Sequence, residues 1–108
     1  MKIEPLPHSG ALRKWTNDLV SEATRCSNRS KRRTLRYLRV AFGSDCIEPL
    51  EAVPPKWDPF DTELACAMAK AASGSISREI QLYQESCTRQ LKPVSGRALL
   101  HLVLKNMS

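Results

Sequence analysis

Residues 57–74 read WDPFDTELACAMAKAASG and hold the clearest helix signal in the chain. Asp58 suits the N-cap, Pro59 suits the first helical position, and the helix dipole favours Asp61 at the third position. Gly74 is predicted to end the helix. The apolar residues in between repeat at helical spacing and predict one buried face, made of Phe60, Leu64, Ala67, Met68 and Ala71.

Four further segments have the same spacing, so the sequence predicts an all-α single domain of about five helices. Ser9 is predicted to cap the first helix, the second covers about Ser30–Phe42, the fourth starts at Ser75 or Ser77, and the fifth follows Ser95. The predicted buried face of the first helix is Leu12, Trp15, Leu19, Val20, Ala23 and Cys26, and that of the second is Leu35, Leu38, Ala41 and Phe42. The predicted buried face of the fourth helix is Ile76, Ile80, Tyr83, Cys87 and Leu91, and that of the fifth is Leu99, Leu102 and Val103.

Prolines and glycines predict where the helices are interrupted. Residues 1–8 contain two prolines and no periodicity, which predicts an extended amino-terminal arm. Gly43 is predicted to adopt the left-handed conformation that follows a helix. Residues 44–57 contain three prolines and predict a Pro-rich loop, with room for a short turn around residues 47–53.

The length and the charge balance limit the class of protein. The 108 residues fit one domain over 1–108, and the formal net charge of +6 predicts a polyanionic partner or an acidic neighbouring domain. The longest apolar run, residues 64–69, is far shorter than the roughly 20 residues that span a bilayer. The amino terminus shows no secretory signal. We therefore expect an intracellular, cytoplasmic protein without membrane attachment.

The cysteines and the missing phosphate-binding loops argue against a metal or a cofactor. Cys26, Cys46, Cys66 and Cys87 are widely separated, whereas zinc modules pair their ligands two to four residues apart. A reducing compartment predicts free thiols. The sequence contains no Walker loop and no dinucleotide fingerprint, so it predicts no cofactor and no small-molecule substrate.

A basic segment is the strongest local anomaly. Residues 25–39 hold seven Lys or Arg and no acidic residue. Three of these cations fall in the first turn of the second predicted helix, where they oppose the helix dipole. A phosphate bound at that terminus, near Ser27, Ser30 and Thr34, would offset this cost. The predicted nucleic-acid-binding residues are Arg29, Lys31, Arg32, Arg33, Arg36 and Arg39.

Two interpretations of the basic segment stay open. In the first, the cations contact the phosphates of a nucleic acid, which makes binding strongly salt-dependent. In the second, they form a solvated helix face or pair with acidic residues between Glu48 and Glu63. The segment holds Tyr37 but no series of aromatic residues, so sequence-specific recognition of single strands is not predicted.

The sequence contains no recognisable set of catalytic residues. His101 lies among leucines and is predicted to be a hydrogen-bonded core residue. Asp58, Asp61 and Glu63 are explained by helix-start chemistry without an acid–base role. We therefore predict no enzymatic activity; an enzyme with dispersed groups would need His101 or Cys66 in an open pocket with a strongly shifted pKa.

The fifth predicted helix is apolar nearly all round. Such a helix is either buried or in contact with a partner. Leu100, Leu104 and Met107 are the predicted protein interface. The helix meets no terminator before Ser108, which predicts that the sequence is a fragment of a longer polyprotein.

The sequence contains a series of short motifs at residues 3–7, 12–15, 60–65, 77–80 and 96–100, with Gly74 and Glu85 between them. Their order and spacing resemble those of the Gag-like, capsid-type domain of copia-type LTR retrotransposon polyproteins. The resemblance implies an all-helical domain that self-associates, helps to package RNA and has no catalytic residues. No CCHC zinc knuckle is present, so RNA binding falls to the basic segment or to a downstream region.

We therefore expect a non-enzymatic Gag-like assembly domain that forms a homo-oligomer and binds RNA or another polyanion without specificity. The alternative is a stand-alone basic helical nucleic-acid-binding domain whose second helix lies in a groove. The two differ in self-association: the assembly domain gains mass with concentration at high salt, whereas the stand-alone domain stays a monomer or dimer.

Overall fold

The computed structural model is all-α and describes residues 3, 5, 12–43, 48–72 and 74–107. The predicted fold class is confirmed, since the described residues form five α-helices and two short 3₁₀-helices. In chain order the α-helices are α1 (Leu12–Ser27), α2 (Lys31–Gly43), α3 (Asp58–Ala71), α4 (Gly74–Arg89) and α5 (Gly96–Met107), and the 3₁₀-helices are Glu48–Glu51 and Pro55–Trp57.

The last helix, α5, forms the centre of the core and packs against α3, α2 and α4. Ala98, Leu99, Leu100 and Val103 on this helix are fully buried. The apolar character that the sequence shows nearly all round α5 is therefore explained by its neighbours within the same chain. The radius of gyration is 12.9 Å, close to the value of about 13 Å for a compact domain of 100 residues.

The predicted buried faces of α1 and α3 are confirmed. Trp15, Leu19, Val20 and Ala23 of α1 are buried, and Cys26 at its end is half-buried; the side chain of Leu12 lies outside the described part. All of the residues predicted for the buried face of α3 are buried, namely Phe60, Leu64, Ala67, Met68 and Ala71.

The start of α3 differs from its prediction by one residue. Trp57 occupies the N-cap position without a side-chain cap, while Asp58 and Pro59 lie in the first turn. The helix ends at Ala71, with extended backbone at Ala72. Gly74 has a left-handed φ of 62° and opens α4, so α4 starts earlier than the predicted serines.

The carboxyl end of α4 corrects one core assignment. Ile80 and Cys87 are buried as predicted, and Ile76 and Tyr83 are half-buried. Leu91 is instead 93% exposed, because the helix ends at Arg89. Leu91 has a left-handed φ of 56° in the turn that follows the helix.

Gly43 and the amino-terminal arm were the other two places where the sequence predicted a backbone conformation. Gly43 is the last residue of α2 and has no positive φ, so the left-handed prediction is wrong. In the predicted arm, Ile3 packs against the core and Pro5 is exposed, both without regular structure. The rest of the arm and the cap at Ser9 lie outside the described residues.

The short turn for which the Pro-rich loop left room is present, because residues 48–51 form a 3₁₀ turn, and residues 55–57 form a second one. Leu50 is fully buried, and its carbonyl accepts a 2.8 Å hydrogen bond from the Ser95 hydroxyl. Arg97 donates from Nη2 to the carbonyl of Ala52 at 3.1 Å. The loop is thus fastened to the start of α5; residues 44–47 lie outside the described part.

A buried carboxylate joins α3 to α5. Asp61 is 3% exposed and accepts hydrogen bonds from the backbone N–H groups of Gly96, at 2.8 Å, and Arg97, at 3.2 Å. The predicted cap at Ser95 is confirmed, since its hydroxyl accepts from the N–H of Ala98 at 3.3 Å. The amino terminus of α5 therefore has both a hydroxyl cap and an internal anion.

Among the described residues, no helix is both long enough and apolar enough to cross a membrane.

Candidate nucleic-acid interface

The inward side of α2 fixes which of its residues reach solvent. Thr34, Tyr37, Leu38 and Ala41 are buried, at spacings of three, one and three residues. The Tyr37 ring stacks on the Trp57 ring with centroids 4.3 Å apart, which holds α2 against the segment before α3. These residues form one helical stripe, so the opposite side of α2 faces solvent.

This stripe corrects the predicted core of α2. Leu35 and Phe42 were predicted to be buried, but each is 39% exposed. Positions 34, 37, 38 and 41 also have helical spacing. The sequence prediction omitted Thr34 and Tyr37 because it placed apolar residues alone on the buried face. Thr34 is buried because its hydroxyl donates to the carbonyl of Ser30 at 3.1 Å, which satisfies it without water.

The outward side of α2 carries five exposed cations, which we call the basic face. Arg32, Arg36 and Arg39 are spaced by four and three residues, so they line up along the helix over about 10 Å. Lys31 and Arg33 flank this line at the amino end. All of the cations of the basic face are exposed: Lys31, Arg32, Arg33, Arg36 and Arg39.

In the described part of the chain, no carboxylate neutralises the basic face. Ion pairs in that part include Lys14–Asp18, Arg25–Glu22 and Lys92–Glu51, and none of them involves a cation of the basic face. Asp61 is buried against Tyr37 and α5. The interpretation that acidic residues between Glu48 and Glu63 pair with these cations is therefore not met by the described residues; the side chain of Glu48 lies outside them.

Arg29 differs from the other predicted phosphate ligands, because its guanidinium is used within the fold. It lies over the Trp57 ring, 4.3 Å from the ring centroid. Its Nη1 donates to the carbonyl of Ser27 at 3.1 Å, and its Nη2 donates to the carbonyl of Lys56. Arg29 is half-buried and anchors the turn before α3.

The predicted phosphate cradle at the start of α2 is corrected in the same way. Ser27 and Thr34 are buried and share a hydrogen bond of 2.9 Å between their hydroxyls. Ser30 is exposed, and its hydroxyl accepts from the N–H of Arg33 at 3.3 Å, so it is the N-cap of α2. Of the predicted hydroxyls, only that of Ser30 is accessible.

A shallow groove of about 540 Å³ lies along the basic face. Three guanidinium side chains and two apolar side chains line it, namely Arg32, Arg36, Arg39, Leu35 and Phe42. Val40, which is 41% exposed, lies outside this groove on α2. The surface is therefore both cationic and apolar, a combination that follows from the corrected position of the buried stripe.

The predicted protein interface on α5 is also corrected. Leu100 is fully buried in the core of its own chain, so it presents no surface to a partner. Leu104 is half-buried and packs against that core. The side chain of Met107 lies outside the described part. Leu100 and Leu104 face the inside of the protein because α5 is the central helix of the fold, with neighbours on several sides.

The two residues considered for catalysis lie in different surroundings. His101 is buried, and its Nδ1 is 3.3 Å from the carbonyl oxygen of Ala41, which confirms the predicted core role. Cys66 is exposed on α3 and does not line the groove on α2. Two further grooves are lined by residues of α4, and Cys66 lies outside both of them. Cys26, Cys66 and Cys87 are free thiols; Cys46 lies outside the described residues.

No group of three or more metal-ligating side chains occurs among the described residues. Comparison with protein-family models, with curated proteins and with solved structures gives no match to this chain. The resemblance to copia-type Gag domains therefore stays a prediction.

Proposed function

We propose that this domain binds nucleic acid through the basic face of α2, mainly by contact with phosphates. The observation that carries the proposal is the set of five exposed cations on one helix, three of them in line, with no acidic partner in the described part of the chain. This function corresponds to the alternative of a basic helical nucleic-acid-binding domain, with a binding role rather than a catalytic one.

The energetics of α2 favour a polyanionic partner. Its first turn contains Lys31, Arg32 and Arg33 and no acidic residue. A cation at an exposed helix amino terminus costs about 0.3 to 1 kcal/mol. Neighbouring like charges add repulsion. Phosphates that neutralise these cations would relieve both costs, and release of their counterions would drive binding.

The composition of the basic face favours weak sequence discrimination. Base edges are read most often by Arg with guanine and by Asn or Gln with adenine. α2 contains no Asn and no Gln, so it lacks the usual contacts to adenine, and its remaining base readers are arginines. Its arginines are long and exposed, which suits phosphates at variable positions better than fixed base contacts.

The test compares two triple variants with the same loss of charge. The first replaces Arg32, Arg36 and Arg39 by Gln. The control replaces Arg13, Arg78 and Arg89 by Gln; these arginines are exposed on α1 and α4. Binding of a labelled oligonucleotide of about 12 nucleotides is measured by anisotropy between about 50 and 200 mM salt.

The α2 variant should lose most of the affinity, and the slope of log K against log salt should fall by about 2, since each lost contact on a single strand is worth about 0.7. The control variant should keep most of the slope. Equal losses in both variants would show that net charge alone, rather than the basic face, determines binding, and would contradict the proposal.

A second candidate function is the self-association that the resemblance implies. The observation that favours it is Leu104, an apolar residue near the end of α5 that is only half-buried within the chain. Light scattering over a wide concentration range, at low and high salt, tests it. Mass that rises with concentration at high salt, and falls in Leu104→Ser, would support assembly; a constant 12.1 kDa would contradict it.

A further inference from the structure

The groove on α2 places apolar surface beside its guanidinium groups. Leu35 and Phe42 line it together with Arg32, Arg36 and Arg39. Leu35 and Phe42 lie seven residues apart, two turns along the same side of the helix. Each is 39% exposed. A partner that carried phosphates alone would satisfy the arginines and leave these two side chains in water.

The form of a nucleic acid decides whether its bases can reach apolar side chains. In a duplex the flat faces of the bases are stacked inside, and the outside presents phosphates, sugars and base edges. In a single strand the base faces are free to stack on aromatic rings, while arginines follow the backbone. The mixture of arginine and exposed phenylalanine in one groove fits the single strand better than the duplex.

We infer that the groove binds single-stranded nucleic acid, with phosphates on the three groove arginines and an unpaired base against Phe42. This inference rests on the proposed function and specifies its ligand. Arg32 and Phe42 are ten residues apart, about 15 Å along the helix. That length matches about four stacked nucleotides at roughly 3.4 Å each. Because every base has a π face, the contact tolerates any sequence.

The experiment uses four probes. Three are nucleic acids of about 12 nucleotides: a mixed-sequence single strand, a single strand in which every nucleotide is abasic, and a duplex. The fourth is a poly-glutamate peptide with the same number of residues. The abasic strand keeps the phosphates and lacks the bases. Affinities are measured by anisotropy at one salt concentration, for the unmodified chain and for Phe42→Ala, Phe42→Tyr and Val40→Ala.

The unmodified chain should bind the base-bearing single strand most tightly. Phe42→Ala should weaken that binding by about 5-fold to 150-fold, the loss that corresponds to one base–aromatic stack of about 1 to 3 kcal/mol. Binding of the abasic strand should not change. Phe42→Tyr should restore affinity because it keeps the ring. Val40→Ala removes an equally exposed apolar side chain outside the groove and should leave both affinities unchanged.

The outcomes separate this inference from the proposed function. Equal, salt-dependent binding of the base-bearing and abasic strands, unaffected by Phe42→Ala, would overturn the inference and leave phosphate binding in place. Tighter binding of the duplex would overturn it as well. Binding of poly-glutamate as tight as that of the single strand would make the groove a site for acidic protein segments and overturn it. Failure of every nucleic-acid probe to bind would contradict the proposed function itself.

Discussion

The hydroxyl of Tyr37 donates a hydrogen bond of 2.7 Å to the buried carboxylate of Asp61. Asp61 also accepts from two N–H groups at the start of α5, so one side chain connects α2, α3 and α5. Arg97 closes the arrangement, with its guanidinium 4.2 Å from the centroid of the Tyr37 ring. Burial and the Asp61 carboxylate raise the pKa of Tyr37 above its ordinary value, so its hydroxyl stays a hydrogen-bond donor at an alkaline pH where a free tyrosine ionises.

The first prediction concerns this buried network. Asp61→Asn replaces an acceptor oxygen with an amide donor that faces other donors, so we expect it to lower the free energy of unfolding by about 3 kcal/mol. Tyr37→Phe removes one hydrogen bond to a charged group and should cost about 1.5 to 3 kcal/mol. Urea denaturation measures both. A loss below about 0.5 kcal/mol, the scatter of ordinary surface substitutions, for either variant would contradict the role of the network.

The Asp61 network also shows what the sequence could not predict. Local chemistry at the start of α3 explained an acidic residue at position 61, and it does lie in the first turn. Its partners Gly96 and Arg97 lie 35 and 36 residues away. Such long-range pairing leaves no periodic signal.

Helix positions were easier to predict than the orientation of α2. Apolar spacing and caps gave all five helices, because these signals are local. For α2, the sequence predicted Leu35 and Phe42 on the buried side, whereas the structure buries Thr34 and Tyr37. The polar pair is buried because each hydroxyl finds a partner inside the protein, Ser30 and Asp61 respectively. The orientation of the basic face therefore depends on hydrogen bonds that composition does not reveal.

The second prediction concerns the close approach of α5 to α3 at Gly96. A Cβ atom added there would collide with the carbonyl oxygen of Asp61 and lie 2.8 Å from the backbone nitrogen of Ala65. Backbone atoms cannot move aside cheaply, so we expect Gly96→Ala to destabilise the fold by about 3 kcal/mol or more. Gly43→Ala is the matched control, since nothing lies within 4 Å of its added Cβ. Thermal unfolding that ranks the control as the less stable variant would contradict this account.

The third prediction uses the strained turn after α4. The N–H of Lys92 donates to the carbonyl of Cys87, and the N–H of Leu91 donates to the carbonyl of Thr88, which makes a Schellman motif with leucine in the left-handed position. Glycine removes a cost of about 1 kcal/mol there. Leu91→Gly should raise the melting temperature by about 4 to 8 °C.

Asn28, with φ of 57° after α1, provides the comparison for this prediction. Asparagine tolerates the left-handed region better than leucine does. Asn28→Gly should therefore raise the melting temperature less than Leu91→Gly. A melting temperature of Leu91→Gly below that of the unmodified chain would contradict the prediction and show that the exposed leucine stabilises the turn in another way.

The fourth prediction is a dependence of stability on pH. Burial opposes ionisation of Glu51, but hydrogen bonds from Lys92, at 2.9 Å, and Tyr83, at 2.7 Å, hold the pKa of Glu51 below its ordinary value. A carboxylate with a lowered pKa in the folded state contributes stability above its unfolded pKa, here the ordinary value of 4.5, and this contribution is lost as the pH falls. Glu51→Gln should be less stable at pH 7, and the difference should shrink in acid. Chemical denaturation from neutral to acidic pH measures it; a constant difference would contradict the linkage.

The last prediction sets the stability of α2 against its proposed function. Ser30 is the N-cap and Arg33 is the third residue of the helix, so Arg33→Glu creates a capping box and replaces a cation with an anion at the positive end of the dipole. We expect it to raise the free energy of unfolding by about 1 kcal/mol and to weaken binding of a single strand. Arg39→Glu makes the same change of charge away from the amino terminus, so it should weaken binding without the gain in stability. Urea denaturation and anisotropy on both variants measure the two effects. If Arg33→Glu gained stability and kept full affinity, the cations of the first turn would have no part in binding, and their cost to the helix would need another explanation.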